Sequence, residues 1–279
     1  MLEKFIYENH LGERFVGLEN GVYLNYNDLR DYSWNYDTIN SKISRFYKQI
    51  TDKNLPLVAC GVTEEKAISA KNRLLDIAEA DIVAKIPGRI FVGDYYMIGY
   101  VTKSTKSNYL ITKRLTNINL TFTSDDPVWC REKSYSFATT ETANADEMQT
   151  IGGTDYNVAY DYDFAAALPS QDITVDSTDG ATFKIRVYGK AEYPLIAIGG
   201  HSYSVNGVVE DGESLLIDAL NKKITLTTES GNAVNWFDRR NRESDIFQPI
   251  PSGTVSVAWT GNFAFDLTVI EKRSEPRWI

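Results

Sequence analysis

The chain of 279 residues has little of what builds covalent or metal frameworks: two cysteines and two histidines. Two cysteines exclude a disulfide-rich secreted scaffold and a cysteine-rich zinc site. Neither His10 nor His201 has a plausible metal partner nearby in the sequence, so we expect both at the surface or in turns. The sequence therefore predicts no metal and no cofactor.

An excess of positive charge is also missing, because the formal net charge is −9 at pH 7. A nucleic-acid-binding protein needs a basic face to displace counterions, so specific binding of DNA or RNA is excluded. No apolar run approaches the roughly 18 residues of a membrane span, and the N-terminus lacks the features of a signal peptide. We therefore expect a soluble protein that is made in a reducing compartment and has no membrane partner.

The motifs of common enzyme classes, GxSxG, HExxH, GxGxxG and the P-loop, are absent. Two groups of carboxylates could in principle hydrolyse glycosides: Asp161 with Asp163, and the acids within residues 210–213. On a strand, the first pair would point to solvent from one face, and Asp211-Gly212 is typical of a hairpin turn. The residues therefore favour a protein that is not an enzyme.

What the sequence does contain is aromatic residues, with 17 Tyr, 12 Phe and 5 Trp. This composition favours β-sheet, and we predict a mainly β protein. Residues 1–140 carry a net charge of +1 and residues 141–279 carry −10, which indicates two domains with different surfaces. We place a first domain at 1–136, a linker or loop at 137–153 and a second domain at 154–279.

The first domain contains one predicted helix, over 64–85, with Thr63 as N-cap and Pro87-Gly88 after its end. Before it, we predict a long hairpin with strands at 39–50 and 55–62 and a polar turn at 51–54. In the second domain, short strands such as 182–188 are separated by Gly-rich turns, which predicts an antiparallel sandwich or jelly roll.

Several stretches along the whole chain resemble, in the same order, the distal tail protein (Dit) family of siphophages. They are FIYENHLGE (5–13), DYSW (31–34), PGRIFVGDYY (87–96), DPVW (126–129), YNVAYDYDF (156–164), PLIAI (194–198), GESLLID (212–218), FQPIPSG (247–253) and EPRW (275–278).

The resemblance implies a structural protein of the virion tail tip, assembled in the cytoplasm of the bacterial host. It implies a homo-hexameric ring that joins the tail tube protein to the tail-associated protein and to receptor-binding or baseplate proteins. DNA would pass through the central channel without specific binding. The first domain would be a ring-forming β-sandwich with a flanking helix and a projecting hairpin, and the second a galectin-like β-sandwich outside the ring.

A ring needs a surface that docks on a neighbouring copy, and we expect the 39–62 hairpin to provide it. The residues that we assign to this interface lie on the hairpin stem and at its expected tip: Arg45, Phe46, Tyr47, Lys48, Asp52 and Lys53. A hairpin packed only within its own chain is the alternative.

Other functions stay open at this point. Tyr156, Tyr160 and Tyr162 could stack on sugars or contact a partner, which would suit a lectin-like adsorption module. They could equally pack in a core. A glycosidase would need two carboxylates that converge in a cleft. Another baseplate protein is a further alternative.

Overall fold

The computed structural model describes residues 4–107, 113–140 and 170–278. Antiparallel strands dominate these ranges, which contain one α-helix, so the predicted mainly β fold is confirmed. In the described part of the chain, no helix combines the length and the apolar character that a membrane crossing requires.

The chain divides into two compact units. Unit 1 consists of residues 1–131 and 272–279, and unit 2 consists of residues 132–271.

Unit 1 is built from short and long antiparallel strands and the helix. In chain order the elements are β1 (Ile6–Glu8), β2 (Arg14–Val16), β3 (Val22–Leu24), β4 (Asn35–Ile39), β5 (Lys42–Tyr47), β6 (Thr51–Cys60), α1 (Glu64–Ala84), β7 (Gly88–Val92), β8 (Tyr95–Ser107), β9 (Leu115–Ser124) and β10 (Trp129–Phe137), of which β10 continues into unit 2.

The long strand β8 connects two groups of strands in unit 1. Its first half pairs with β7, which continues to β1 and β2, and its second half pairs with β9, which continues to β6 and β3. Alternate residues of β9, such as Ile118, Leu120 and Phe122, point into one core. Leu74 and Ile77 of α1 pack into the same core.

The helix α1 begins where the sequence predicts. The Thr63 side chain accepts a hydrogen bond from the backbone N–H of Lys66, at 3.3 Å. The helix ends one residue before the predicted boundary because Lys85 adopts a left-handed conformation with φ of 57°. Near the end of the helix, Ile82 is exposed and the neighbouring Asp81 is buried.

Asp81 is the acceptor of a buried polar network. Its carboxylate accepts hydrogen bonds from the Tyr7 hydroxyl at 2.5 Å and from the His10 backbone N–H at 2.8 Å, and it lies 2.6 Å from His10 Nδ1. Burial, and then the hydrogen bond to Asp81, raise the pKa of Tyr7, so its phenol stays protonated as a donor. His10 lies in a turn, as the sequence predicts, and its contacts with Asp81 make it part of the buried polar network.

The predicted hairpin over 39–62 has its turn at the wrong residues. The reversal occurs at Asn40-Ser41, where both residues have positive φ, so the hairpin is β4–β5. Residues 51–54 are not a turn but the first part of β6, paired with 121–124 of β9. Their polar composition imitates a turn, but pairing with a distant strand determines their conformation.

The strands of unit 2 form two larger antiparallel sheets and one separate two-stranded pair, and residues from all three share one hydrophobic core. Its strands are β11 (Ser170–Val175), β12 (Thr182–Tyr188), β13 (Ala191–Glu192), β14 (Leu195–Ile198), β15 (His201–Ser204), β16 (Val208–Val209), β17 (Ser214–Asp218), β18 (Lys223–Thr227), β19 (Ala233–Asn235), β20 (Gly253–Trp259) and β21 (Phe265–Arg273), of which β21 ends in unit 1.

In unit 2, β12 lies between β17 and β21, and β20 lies between β11 and β14. Phe137 stacks on Phe265 with ring centroids 4.5 Å apart, and Trp259 meets Phe265 edge-on.

The two units differ from the sequence-based division at both ends of unit 2. The structure changes unit at residues 131/132, within β10, rather than after 136. Residues 272–279 belong to unit 1 again. Dividing the chain at one position therefore cannot describe the two units. The expected linker at 137–153 lies mostly outside the described residues and stays a prediction.

Candidate functional site

The hairpin β4–β5 is a two-stranded sheet of its own and pairs with no other strand that the structure describes. Its cross-strand register places Tyr36 opposite Phe46 and Thr38 opposite Ile43, and a bulge near Ser44 keeps both pairs on one face. Tyr36, Ile43 and Phe46 are 57%, 52% and 59% exposed. The hairpin therefore presents an apolar face to solvent, and we call these three residues the apolar face of the hairpin.

The opposite face of the hairpin is mixed, with charged side chains beside the exposed Ile39. Asp37 lies opposite Arg45, and Ile39 lies opposite Lys42. The Arg45 guanidinium carbon lies 5.7 Å from the centroid of the Tyr47 ring. The charged side chains Asp37, Arg45 and Lys42 therefore lie on this face, and the apolar face of the hairpin carries none.

A lysine and a tryptophan fix the base of the hairpin. The Lys48 ammonium donates a hydrogen bond to the backbone carbonyl of Pro127 at 3.0 Å and lies 4.9 Å from the centroid of the Trp34 ring. Burial lowers the pKa of Lys48, and Asp126 partly offsets this shift. These contacts anchor the base of the hairpin to unit 1, while the tip residues Asn40 and Ser41 are exposed.

The structure brings together four of the six predicted interface residues. Arg45, Phe46 and Tyr47 lie on β5 and Lys48 lies at its base, but Asp52 and Lys53 lie on β6. Asp52 accepts a hydrogen bond from the Thr123 hydroxyl at 2.6 Å, within the sheet. Placing these last two residues at a hairpin tip was wrong, because residues 51–54 are paired along their whole length.

Lys53 is a buried cation in the sheet of unit 1. Its ammonium donates hydrogen bonds to the backbone carbonyls of Asp28, at 2.9 Å, and of Asp31. Burial lowers the pKa of Lys53, and the nearby Asp28 and Asp31 charges partly offset this shift. The lysine thus holds the 25–32 loop on the sheet.

Replacing Lys53 with Met is expected to destabilise the protein by about 2 to 3 kcal/mol, because two buried carbonyls lose a charged donor. Chemical denaturation of the purified variant measures this change. The matched control is Lys106→Met, an exposed lysine on β8, for which we expect a change within about 0.5 kcal/mol. Equal stability of both variants would contradict the structural role of Lys53.

The apolar face contains residues that the sequence-based reasoning missed, Tyr36 and Ile43. Strand periodicity alone does not reveal them, because an exposed and a buried apolar residue give the same pattern. The signal that could have located them is Asn40-Ser41, since Asn tolerates positive φ and predicts a turn there.

The remaining candidates for chemistry do not form a site in the described residues. Tyr156, Tyr160 and Tyr162, and the Asp161–Asp163 pair, lie outside the described residues. Residues 210–213 form a tight turn in which Glu213 N–H donates to Glu210 O. Within the described ranges, no three His, Cys, Asp or Glu residues lie close enough together to hold a metal ion.

Comparison with solved structures relates the whole chain to phage tail components. A match to SPP1 Dit, described as a paradigm of the hub adsorption apparatus in phages that infect Gram-positive bacteria, covers 98% of this chain and 100% of that one. The TM-score is 0.58 at 13% sequence identity. The chain has the fold of a phage Dit hub protein.

Baseplate structures give the same result for the Dit fold. Chains of the phage P2 baseplate in its activated conformation, with Ca and with Sr, each match with a TM-score of 0.60 and 13% identity. Each match covers 99% of this chain and 100% of the baseplate chain. No family model matches the sequence, and no curated protein matches it. The similarity to these proteins therefore lies in the fold and not in overall sequence identity.

Proposed function

We propose that the protein is the distal tail hub of a bacteriophage, a structural component of the virion tail tip without a catalytic step of its own. The observation that carries the proposal is the match to SPP1 Dit over both chains in full. Because both units take part in this match, the proposal concerns the whole protein and not a shared module.

In this proposal six copies form a closed ring through unit 1. A ring requires two different surfaces that meet between neighbouring copies. The apolar face of the hairpin (Tyr36, Ile43 and Phe46) is one of them. Covering these three exposed apolar side chains removes apolar surface from water, which stabilises the contact between copies. Arg45, Tyr47 and Lys48 would flank the contact.

The distribution of charge supports different roles for the two halves of the chain. Residues 1–140 carry a net charge of +1, and residues 141–279 carry −10. A nearly neutral first half suits a channel through which DNA passes without specific binding, because it carries no large excess of positive charge to hold phosphates. We place the acidic second half, a galectin-like β-sandwich in this proposal, at the periphery of the ring.

The partners in this proposal are those that a hub joins: the tail tube protein on one side, and the tail-associated protein with receptor-binding or baseplate proteins on the other. Acidic surfaces of the second half would favour partners with basic surfaces. Assembly would take place in the host cytoplasm before the tail is complete.

Native mass spectrometry of the purified protein tests the stoichiometry. We expect a species of six times 31.5 kDa that grows at the expense of smaller species as the concentration rises. A species of 31.5 kDa that persists unchanged at every concentration would contradict the proposal.

A further inference from the structure

Unit 1 carries a second group of exposed aromatic side chains, distinct from the apolar face of the hairpin. Tyr26, Tyr32 and Trp278 are 89%, 54% and 76% exposed and line an open cleft of about 610 Å³. This volume lies within the range of small-ligand sites. The cleft combines a loop near the N-terminus with the last residues of the chain, so it exists only in the folded unit.

The floor of the cleft is held rigidly. Leu29 is buried in the core of unit 1, the Lys53 ammonium binds two carbonyls of the loop, and Asp28 accepts a hydrogen bond from the Asn54 N–H at 2.7 Å. A loop anchored at three points loses little conformational freedom when a ligand binds, which favours binding.

Trp278 is also held in place. Its indole N–H donates to Glu275 Oε1 at 2.8 Å, and the Arg30 guanidinium carbon lies 4.0 Å from the ring centroid. Arg30 in turn donates a hydrogen bond to the backbone carbonyl of Pro276 at 2.9 Å. One face of the indole is therefore covered by a cation, while the large exposed fraction leaves the other face open to solvent.

The polar groups of the cleft determine which ligand it would take. Asp31 and the second oxygen of Glu275 supply carboxylate acceptors. The Asn27 amide is hydrogen-bonded within its own loop, and Arg30 is engaged with Trp278 and Pro276. Aromatic faces beside acceptors suit a ligand that has C–H surfaces and several hydroxyl donors in one small ring. Anionic ligands are disfavoured, since two carboxylates face one arginine.

We propose that this cleft binds a neutral saccharide, with a sugar ring stacked on Tyr26 or Trp278 and its hydroxyls donating to Asp31 and Glu275. A proline-rich peptide would also fit aromatic rings, but proline lacks the N–H donors that these carboxylates need. The inference goes beyond the hub function and does not depend on it, because each cleft lies within a single copy.

The test is titration of the full-length protein with tri-N-acetylchitotriose, methyl β-galactoside and methyl β-glucoside, followed by protein NMR into the millimolar range. We expect saturable binding of at least one of these probes and none of methyl β-glucuronide. Tyr26→Ala and Trp278→Ala should each weaken the binding at least about tenfold, because each removes a stacking surface. Tyr193→Ala, an exposed tyrosine of unit 2, is the matched control and should leave it unchanged.

Three results would overturn the inference. The first is that none of the three neutral probes binds saturably. The second is that a probe binds Tyr26→Ala and Trp278→Ala as tightly as it binds the wild type. The third is that a proline-rich peptide containing arginine binds saturably and the sugars do not. Light scattering gives the mass of each variant and so tests the hub proposal separately from sugar binding. Tyr26 is not on the hairpin, so Tyr26→Ala should lose sugar binding and keep the mass of the wild-type oligomer.

Discussion

Replacing Phe46 with Asp is expected to convert the oligomer to monomers. In the proposed ring this side chain is covered by a neighbouring copy, and a carboxylate buried there without a partner costs at least about 2 kcal/mol at each contact. Since a closed ring contains the contact once for each copy, the loss is repeated around the ring. Light scattering at several concentrations measures the mass, and we expect 31.5 kDa for the variant.

The control for this variant must separate assembly from folding. Phe46 is exposed in the protomer, so Phe46→Asp should change the free energy of unfolding by no more than about 0.5 kcal/mol. Tyr193→Asp makes the same kind of change on unit 2 and should leave the oligomer intact. An oligomer of Phe46→Asp with the wild-type mass would refute the assignment of the hairpin to the interface.

Replacing Asp81 with Ala is expected to destabilise the protein by about 3 to 5 kcal/mol, the largest loss of stability that we predict. The Tyr7 hydroxyl and the backbone N–H of His10 would lose their acceptor inside the protein, and the His10 ring would lose its partner. Thermal unfolding followed by circular dichroism measures the effect, and we expect a midpoint lower by about 10 °C or more.

A second acid on the same helix provides the control for Asp81. Asp76 is exposed, so Asp76→Ala should change stability by no more than about 0.5 kcal/mol. Tyr7→Phe removes only the hydrogen bond from the Tyr7 hydroxyl. Its loss of stability should lie between those of Asp76→Ala and Asp81→Ala, at about 1 to 2 kcal/mol. If Asp81→Ala and Asp76→Ala unfold at the same temperature, the buried network does not stabilise unit 1.

Local sequence patterns predicted those elements whose residues are neighbours in the chain. The helix α1 follows from Thr63 and the spacing of its apolar residues, and β12 follows from alternation over 182–188. Such signals need no knowledge of distant residues. They are therefore sufficient for the fold class and for elements such as α1 and β12.

Features made by distant residues could not be predicted in this way. Lys53 looks like a turn residue until its pairing with β9 is known, and Asp81 meets Tyr7 across 74 positions of sequence. The hairpin itself was predicted, but its turn was misplaced because Asn40-Ser41 is a weaker signal than the polar run at 51–54. The cleft beside Trp278 depends on the return of residues 272–279 to unit 1, which no local pattern encodes.

In the proposed assembly, copies of this chain close into a ring through the hairpin of unit 1. Negative-stain electron microscopy of the purified full-length protein tests it most directly. We expect ring-shaped particles of six copies with a central opening for the wild type, and none for Phe46→Asp. Separate particles of the size of one protomer in the wild-type sample, at every concentration examined, would contradict the account.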